Sequence, residues 1–268
     1  MAKATHRLRL ECPELARRIV PGQFVMLRLP GVDDPLLARP LALYDTVLDD
    51  QDAAIGIDVV YLVVGKMTGR LTRVAAGDSL EIWGPLGNGF PTRSLEHLIM
   101  VAGGIGQTPF VALGREYLRQ RHYGEPPRQG ASAARVTLCY GARSRDYLAG
   151  VDDFARLGVE VRLATDDGSA GARGFVTAEL ERLLAEASVA PVDRTRIVCC
   201  GPEPMMAAVA KIAAAQGIAC EVSLETPMAC GLGICFSCVT RVRDASGEWD
   251  YRRTCVEGPV FDASTIVF

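Results

Sequence analysis

The stretch LIMVAGGIGQTPF, residues 98–110, decides the fold. Leu98 to Ala102 form an unbroken apolar run, the mark of a strand covered on both faces, and it ends in Gly103, Gly104 and Gly106. Thr108-Pro109 then opens a helical pattern that continues to about Arg121. Such a turn lets backbone come close to a ligand and offers unpaired N–H groups to a pyrophosphate, although the same glycines also suit a purely structural turn. A second turn of this kind, CCGPEPMM at 199–206, follows the strand pattern RIVCC and strengthens the ligand reading. RVTLCYG (135–141), VEVRLATDDG (159–168) and IACEVSL (218–224) are further strand patterns, with helical segments between most of them. Alternating buried strands and helices predict a parallel α/β sheet whose strand ends surround a crevice. YGARSRD (140–146) and TDDG (165–168) line that edge, where Asp166 and Asp167 serve either ribose hydroxyls or a solvated turn.

Upstream the pattern differs. RLRLEC, QFVMLRLP, ARPLALYDTVL, IDVVYLVVG and DSLEIWGPLG are short β-rich segments divided by Gly, Pro and Asp, which predicts a small antiparallel β-barrel. A short turn of helix is expected at TGRLTRV, 68–74. The change of character sets the domains at 1–94 for the barrel, 95–222 for the α/β sheet and 223–268 for a C-terminal segment. In the barrel, Arg39 of RPLALYD is suited to one phosphate of a dinucleotide, and the N–H groups after Thr68 to the other. A lone arginine in a β-domain is usually just a solvated charge. GPLGNGF (84–90) fits either a tight flavin-contacting turn or an interdomain corner, and QRHYGEPPRQGASAA (120–134) reads as a solvated connection.

The C-terminal segment holds the most specific signal. ETPMACGLGICFSC (225–238) and RRTCVEGPVF (252–261) place Cys230, Cys235, Cys238 and Cys255 in a C-x4-C-x2-C pattern with the fourth cysteine returning later. This is the plant-type loop that wraps a 2Fe-2S cluster, with Gly231 and Gly233 allowing the close approach. The intervening VTRVRDASGEWDYRRT reads as a hairpin about Ser246-Gly247, which sets Cys238 opposite Cys255. Structural zinc usually takes two separated C-x2-C pairs, and here there is one. A disulfide framework suits a secreted chain, whereas MAKATHRLRLECPEL has no apolar signal core.

Composition narrows the classes. In 268 residues, 49% are hydrophobic and 23% charged, and no stretch approaches the roughly twenty apolar residues of a membrane span. A net charge of -3 argues against a nucleic-acid partner, which needs a basic face. Nine cysteines without a signal sequence imply a reducing compartment and a cytoplasmic location. Cys12, Cys139, Cys199, Cys200 and Cys220 fall mostly in apolar runs and read as small core residues.

With RPLALYD, VVGKMTGRL, GPLGNGF, VAGGIGQTP, CCGPEPMM and the cysteine spacing in that order, the chain resembles the ferredoxin-NADP reductase superfamily over nearly its full length. Within it, the chain is similar to the electron-transfer subunits of two-subunit, NAD-linked dihydroorotate dehydrogenases. The resemblance implies that Arg39, Pro40, Leu41 and Ala42 occupy the flavin motif, normally Arg-Pro-x-Ser, and that Val60, Tyr61 and Leu62 run past the flavin. It implies that Met67 and Thr68 stand at the Gly-Thr pair beside the FAD pyrophosphate. Gly103, Gly104, Gly106, Thr108 and Pro109, with Cys200, Gly201 and Pro202, then face NAD, and the four C-terminal cysteines bind the cluster. Ala42 departs from the pattern by lacking a hydroxyl, and Met67 by replacing a glycine.

The resemblance further implies a partner chain carrying FMN that oxidises dihydroorotate, in a heterotetramer with two copies of each subunit. FAD joins the one-electron cluster to the two-electron nicotinamide. A reductase subunit serving a ferredoxin, hydrogenase-type or oxygenase partner, and a non-catalytic module with structural zinc, stand as the alternatives.

Overall fold

A computed structural model describes residues 1–186 and 190–268. The N-terminal part contains β1 (Thr5–Glu11), α1 (Pro13–Arg18), β2 (Phe24–Arg28), β3 (Arg39–Leu48), β4 (Ala54–Leu62), α2 (Lys66–Leu71) and β5 (Glu81–Leu86). All its strand pairings are antiparallel, in the order β1-β4-β3-β2-β5. Among the described residues no β1–β5 pairing closes the expected barrel. Instead α1, missed in the sequence because it is so short, lies against β4 and β5 and buries Leu15 and Ala16. The core beneath is Val25, Leu27, Leu43, Ile57, Val59 and Tyr61, drawn from the strands the sequence marked.

The second part contains β6 (Ser94–Gly103), α3 (Phe110–Tyr117), β7 (Ser132–Ala142), α4 (Val151–Arg156), β8 (Glu160–Thr165), β9 (Ala172–Arg173), α5 (Val176–Leu184), β10 (Thr195–Cys200), α6 (Glu203–Ala215) and β11 (Ala219–Ser223). β6 is central and pairs in parallel with β7 and β10. Leu98 to Ala102 are fully buried between two hydrophobic clusters, as an unbroken apolar strand requires.

The last part holds β12 (Val239–Arg243), β13 (Trp249–Arg253) and β14 (Val260–Asp262). β12 and β13 form the expected hairpin, but with Val239 opposite Arg253, so that Cys238 faces Thr254 rather than Cys255. The turn spans 245–247, with Gly247 at φ 89°, and the extra residue shifts the register by one. β14 was not legible in the sequence; it adds an antiparallel edge to β11 of the large sheet.

α3 stops at Tyr117, short of the expected Arg121, because the chain beyond it is drawn to the first part of the molecule. Asp45 on β3 receives hydrogen bonds from Arg121 at 3.1 Å and the Tyr123 hydroxyl at 2.7 Å, and Arg115 of α3 lies 3.0 Å from its other oxygen. Arg128 binds Glu116 and the Phe90 carbonyl. Residues 120–134 are therefore a strap between the two sheets and not a merely solvated connection.

Candidate functional site

A cavity of about 690 Å3 opens where the three parts meet. From β3 it takes Arg39, Pro40, Leu41 and Ala42, and from β4 Val60, Tyr61 and Leu62. Met67 and Thr68 of α2 line it as well. Across the opening stand Thr108 and Pro109, after the first glycine turn, and Cys200, at the end of β10. The C-terminal ends of the parallel strands thus face the antiparallel sheet.

The polar groups in this wall are few. The Arg39 guanidinium donates to the Leu37 and Ala38 carbonyls at 3.0 Å, and among the described residues no carboxylate pairs with it. Its remaining donors can serve an anion. The Thr68 hydroxyl accepts from the Val64 and Gly65 N–H groups at 3.1 Å, which fixes the turn entering α2. Met67 is buried in the core of the antiparallel part and lines the cavity edge. Burial pushes the Tyr61 hydroxyl above its usual range, and the Cys200 thiol well above its own.

Gly103, Gly104, Gly106, Gly201 and Pro202 lie beside the cavity without lining it. Gly201 and Pro202 line an adjoining cleft of about 340 Å3. The three turn glycines have different reasons. A methyl group on Gly106 would meet the Cys200 carbonyl oxygen at 2.3 Å, and one on Gly103 would meet Met205 and Pro202. Both glycines let the two turns press together. Gly104, at φ 56°, faces open space, leaving its backbone approachable. Asp167 accepts from the Ser169 N–H at 2.9 Å and from its hydroxyl at 2.6 Å, so it holds its own turn. GPLGNGF is an interdomain corner: Asn88 bonds the Glu257 and Val260 carbonyls and accepts from the Val260 N–H.

The sequence reading missed 223–228 as part of the wall. Ser223, Leu224, Glu225, Thr226, Pro227 and Met228 all face the cavity. The position of this stretch, between the last parallel strand and the cysteine loop, is the signal that marks it.

The cysteines sit behind that wall. Among the described residues no three of His, Cys, Asp and Glu converge on a single ion. The four cysteines group in pairs instead, Cys230 with Cys235 and Cys238 with Cys255. Pairing suits a two-iron cluster held by four thiolates. Hydrogen bonds from Ser237 and then Cys230 bring the exposed Cys235 thiol down to about 6, whereas burial and the Cys238 thiol push Cys255 up to about 12. Cys238 and Cys255 pack with Phe24, Met26 and Met228, of which Phe24 and Met228 also line the cavity. The cysteines and the cavity wall thus share one apolar cluster of side chains. Gly231, at φ 72°, backs onto Met26 and Leu86, and the Trp83 indole N–H donates to the Cys230 carbonyl at 3.1 Å. On the outer side Leu232, Phe236 and Val256 are exposed, and Ile234 is 77% exposed.

Comparison with known proteins agrees with this layout. Residues 2–90 match the model of an oxidoreductase FAD-binding domain and residues 100–211 that of an oxidoreductase NAD-binding domain. Residues 225–267 match the iron-sulfur cluster binding domain of dihydroorotate dehydrogenase B. The dihydroorotate dehydrogenase B (NAD+) electron transfer subunit of Caldanaerobacter subterraneus subsp. tengcongensis is 33% identical over 92% of this chain and 87% of its own. The chain belongs to this family. The corresponding subunit of Bacillus caldolyticus is 33% identical over 100% of this chain and 94% of its own.

Among solved structures, an NADH-dependent reduced ferredoxin-NADP oxidoreductase, described for flavin-based electron bifurcation, superposes with a TM-score of 0.80. The identity is 28%, over 99% of this chain and 86% of that one. The FAD/NAD-binding domain of a Vibrio cholerae nitric oxide dioxygenase shares the fold, with a TM-score of 0.60 and 18% identity over 81% of this chain and 89% of that one. The chain is an oxidoreductase electron-transfer subunit with FAD-, NAD- and iron-sulfur-binding domains. Among the described residues no helix is long and apolar enough to cross a membrane.

Proposed function

We propose that the chain passes electrons between an FMN-containing dihydroorotate dehydrogenase catalytic subunit and NAD+ in pyrimidine biosynthesis, as a cytoplasmic heterotetramer. The observation that carries this reading is the two-sided setting of the cysteine loop. Its inner side packs on residues that line the large cavity, and its outer side is apolar and uncovered. An exposed apolar patch at a redox centre suits a docking partner, and the side chains shared with the cavity wall suit electron passage onward.

In this reading Cys230, Cys235, Cys238 and Cys255 hold a 2Fe-2S cluster. FAD occupies the large cavity, where Pro40, Leu41, Ala42, Val60, Tyr61 and Leu62 form the wall for its ring. Arg39 and the turn at Met67 and Thr68 hold its phosphates. When bound, FAD supplies the exchange between single electrons and a hydride. NAD lies against Gly103, Gly104, Gly106, Thr108 and Pro109 and against Cys200, Gly201 and Pro202. The division of labour follows 1–94, 95–222 and 223–268, although the last unit also lends β14 to the large sheet.

Co-purification with a dihydroorotate-oxidising subunit, followed by dihydroorotate-driven NAD+ reduction, tests the proposal. The close match to the ferredoxin-linked reductase favours a second reading, a reductase subunit for another electron-transfer partner, and the identity of the co-purified chain separates the two.

A further inference from the structure

Electron counting in the proposed function raises a requirement that the cysteines cannot meet. Forming NADH from NAD+ consumes two electrons and one proton, and a thiolate-held cluster delivers the electrons singly and without protons. For every electron pair, one proton must reach the large cavity from solvent; in the reverse direction one must leave. The wall offers few carriers. A guanidinium is no proton donor in proteins, and burial raises the Cys200 thiol and the Tyr61 hydroxyl above their ordinary ranges.

Glu225 is the one carboxylate among the residues lining the large cavity, and it lines the adjoining cleft as well. Its side chain is accessible to solvent yet ringed by protein, and no cation is paired with it among the described residues. Next to it the Thr226 hydroxyl is buried without a hydrogen-bond partner. Titratable and charged groups around the two spaces are Arg39, Tyr61 and Cys200 on the cavity side and Glu203, Arg241 and Tyr251 on the cleft side.

We propose that Glu225 carries the proton that accompanies each electron pair, taking it from solvent in the smaller cleft and releasing it into the large cavity. The Glu225 O–H bond breaks as the proton leaves and re-forms from water in the cleft, so the residue is unchanged after each cycle. The protein that rings the side chain partly desolvates it and raises the carboxyl above the ordinary carboxylate range.

This inference rests on the proposed electron path, and its test separates the two. The full chain, loaded with FAD and cluster, is reduced anaerobically either by NADH, which brings its own hydride, or by reduced methyl viologen, which brings electrons alone. Flavin bleaching and proton uptake, followed with a pH indicator in weak buffer, are the readouts. Glu225→Gln is expected to slow viologen-driven bleaching and proton uptake by at least about tenfold more than NADH-driven bleaching. Glu225→Asp is expected to recover much of the loss. A carboxylic-acid C=O band in the redox infrared difference spectrum of the wild type should vanish in Glu225→Gln. An unchanged ratio of the two rates, or an unchanged infrared band, overturns the proton route alone. A wild-type chain that NADH cannot reduce overturns the electron path and this inference with it.

Discussion

Gly106→Ala tests whether the two glycine turns are locked together. The added methyl carbon would sit 2.3 Å from the Cys200 carbonyl oxygen, 2.6 Å from its carbon and 2.7 Å from the Gly201 nitrogen. An ordinary carbon–oxygen contact is about 3.3 Å, so the two backbones must part by about 1 Å. No flexible side chain can yield there. Overpacking of this kind costs about 3 kcal/mol, a fall in Tm of roughly 6–12 °C for a protein of this size. A shift of about 1 Å between the turns should also weaken dinucleotide affinity at least tenfold, read by titrating flavin bleaching with NADH. Gly104→Ala is the control. Its φ of 56° disfavours a side chain, but nothing lies within 4 Å of the new atom, so the cost is about 1 kcal/mol. Calorimetry that found equal Tm values for the two variants would refute the reasoning.

Cys235→Ser should remove the cluster's visible absorbance and abolish partner-dependent NAD+ reduction, while NADH still bleaches the flavin; retained partner-dependent turnover would contradict the ligand assignment. Trp83→Phe deletes the hydrogen bond to the Cys230 carbonyl and should cost about 1 kcal/mol in chemical denaturation, with faster cluster loss in air. Asp45→Asn removes the charge shared by Arg115 and Arg121 and should cost about 3 kcal/mol, measured by urea denaturation. His97 is 1% exposed, and burial lowers it from 6.5 to about 4. The unfolded chain therefore binds a proton that the folded chain refuses. Stability should fall by at most about 3 kcal/mol as pH drops from about 6.5 to about 4, and level off below, with His97→Asn flattening that window.

What the sequence revealed follows from how local each signal is. The run Leu98 to Ala102 ending in glycines shows in the chain because a doubly covered strand must be apolar throughout. The cysteine spacing is legible because loop length limits which thiolates can share a cluster. Elements that depend on distant partners were hidden. β14 is three residues long and exists because β11 offers it an edge. Tyr123 and Arg121 look like loop residues until Asp45, far away in the chain, is seen to hold them. The hairpin register was missed by one residue because Ser246-Gly247 suits a two-residue turn, and only the Asp244–Glu248 closure reveals the third turn residue. Glu225 was quoted as part of the cysteine segment, yet its place in the cavity wall comes from the meeting of three parts of the molecule.

The central claim is that one chain holds a cluster and a flavin on either side of one shared apolar cluster of side chains. Its most direct test is the visible spectrum of anaerobically purified protein, with iron, sulfide, zinc and flavin counted per chain. The account predicts about two irons, two sulfides and one FAD. Stoichiometric zinc and no flavin, in a sample reconstituted with iron, sulfide and FAD, would contradict it.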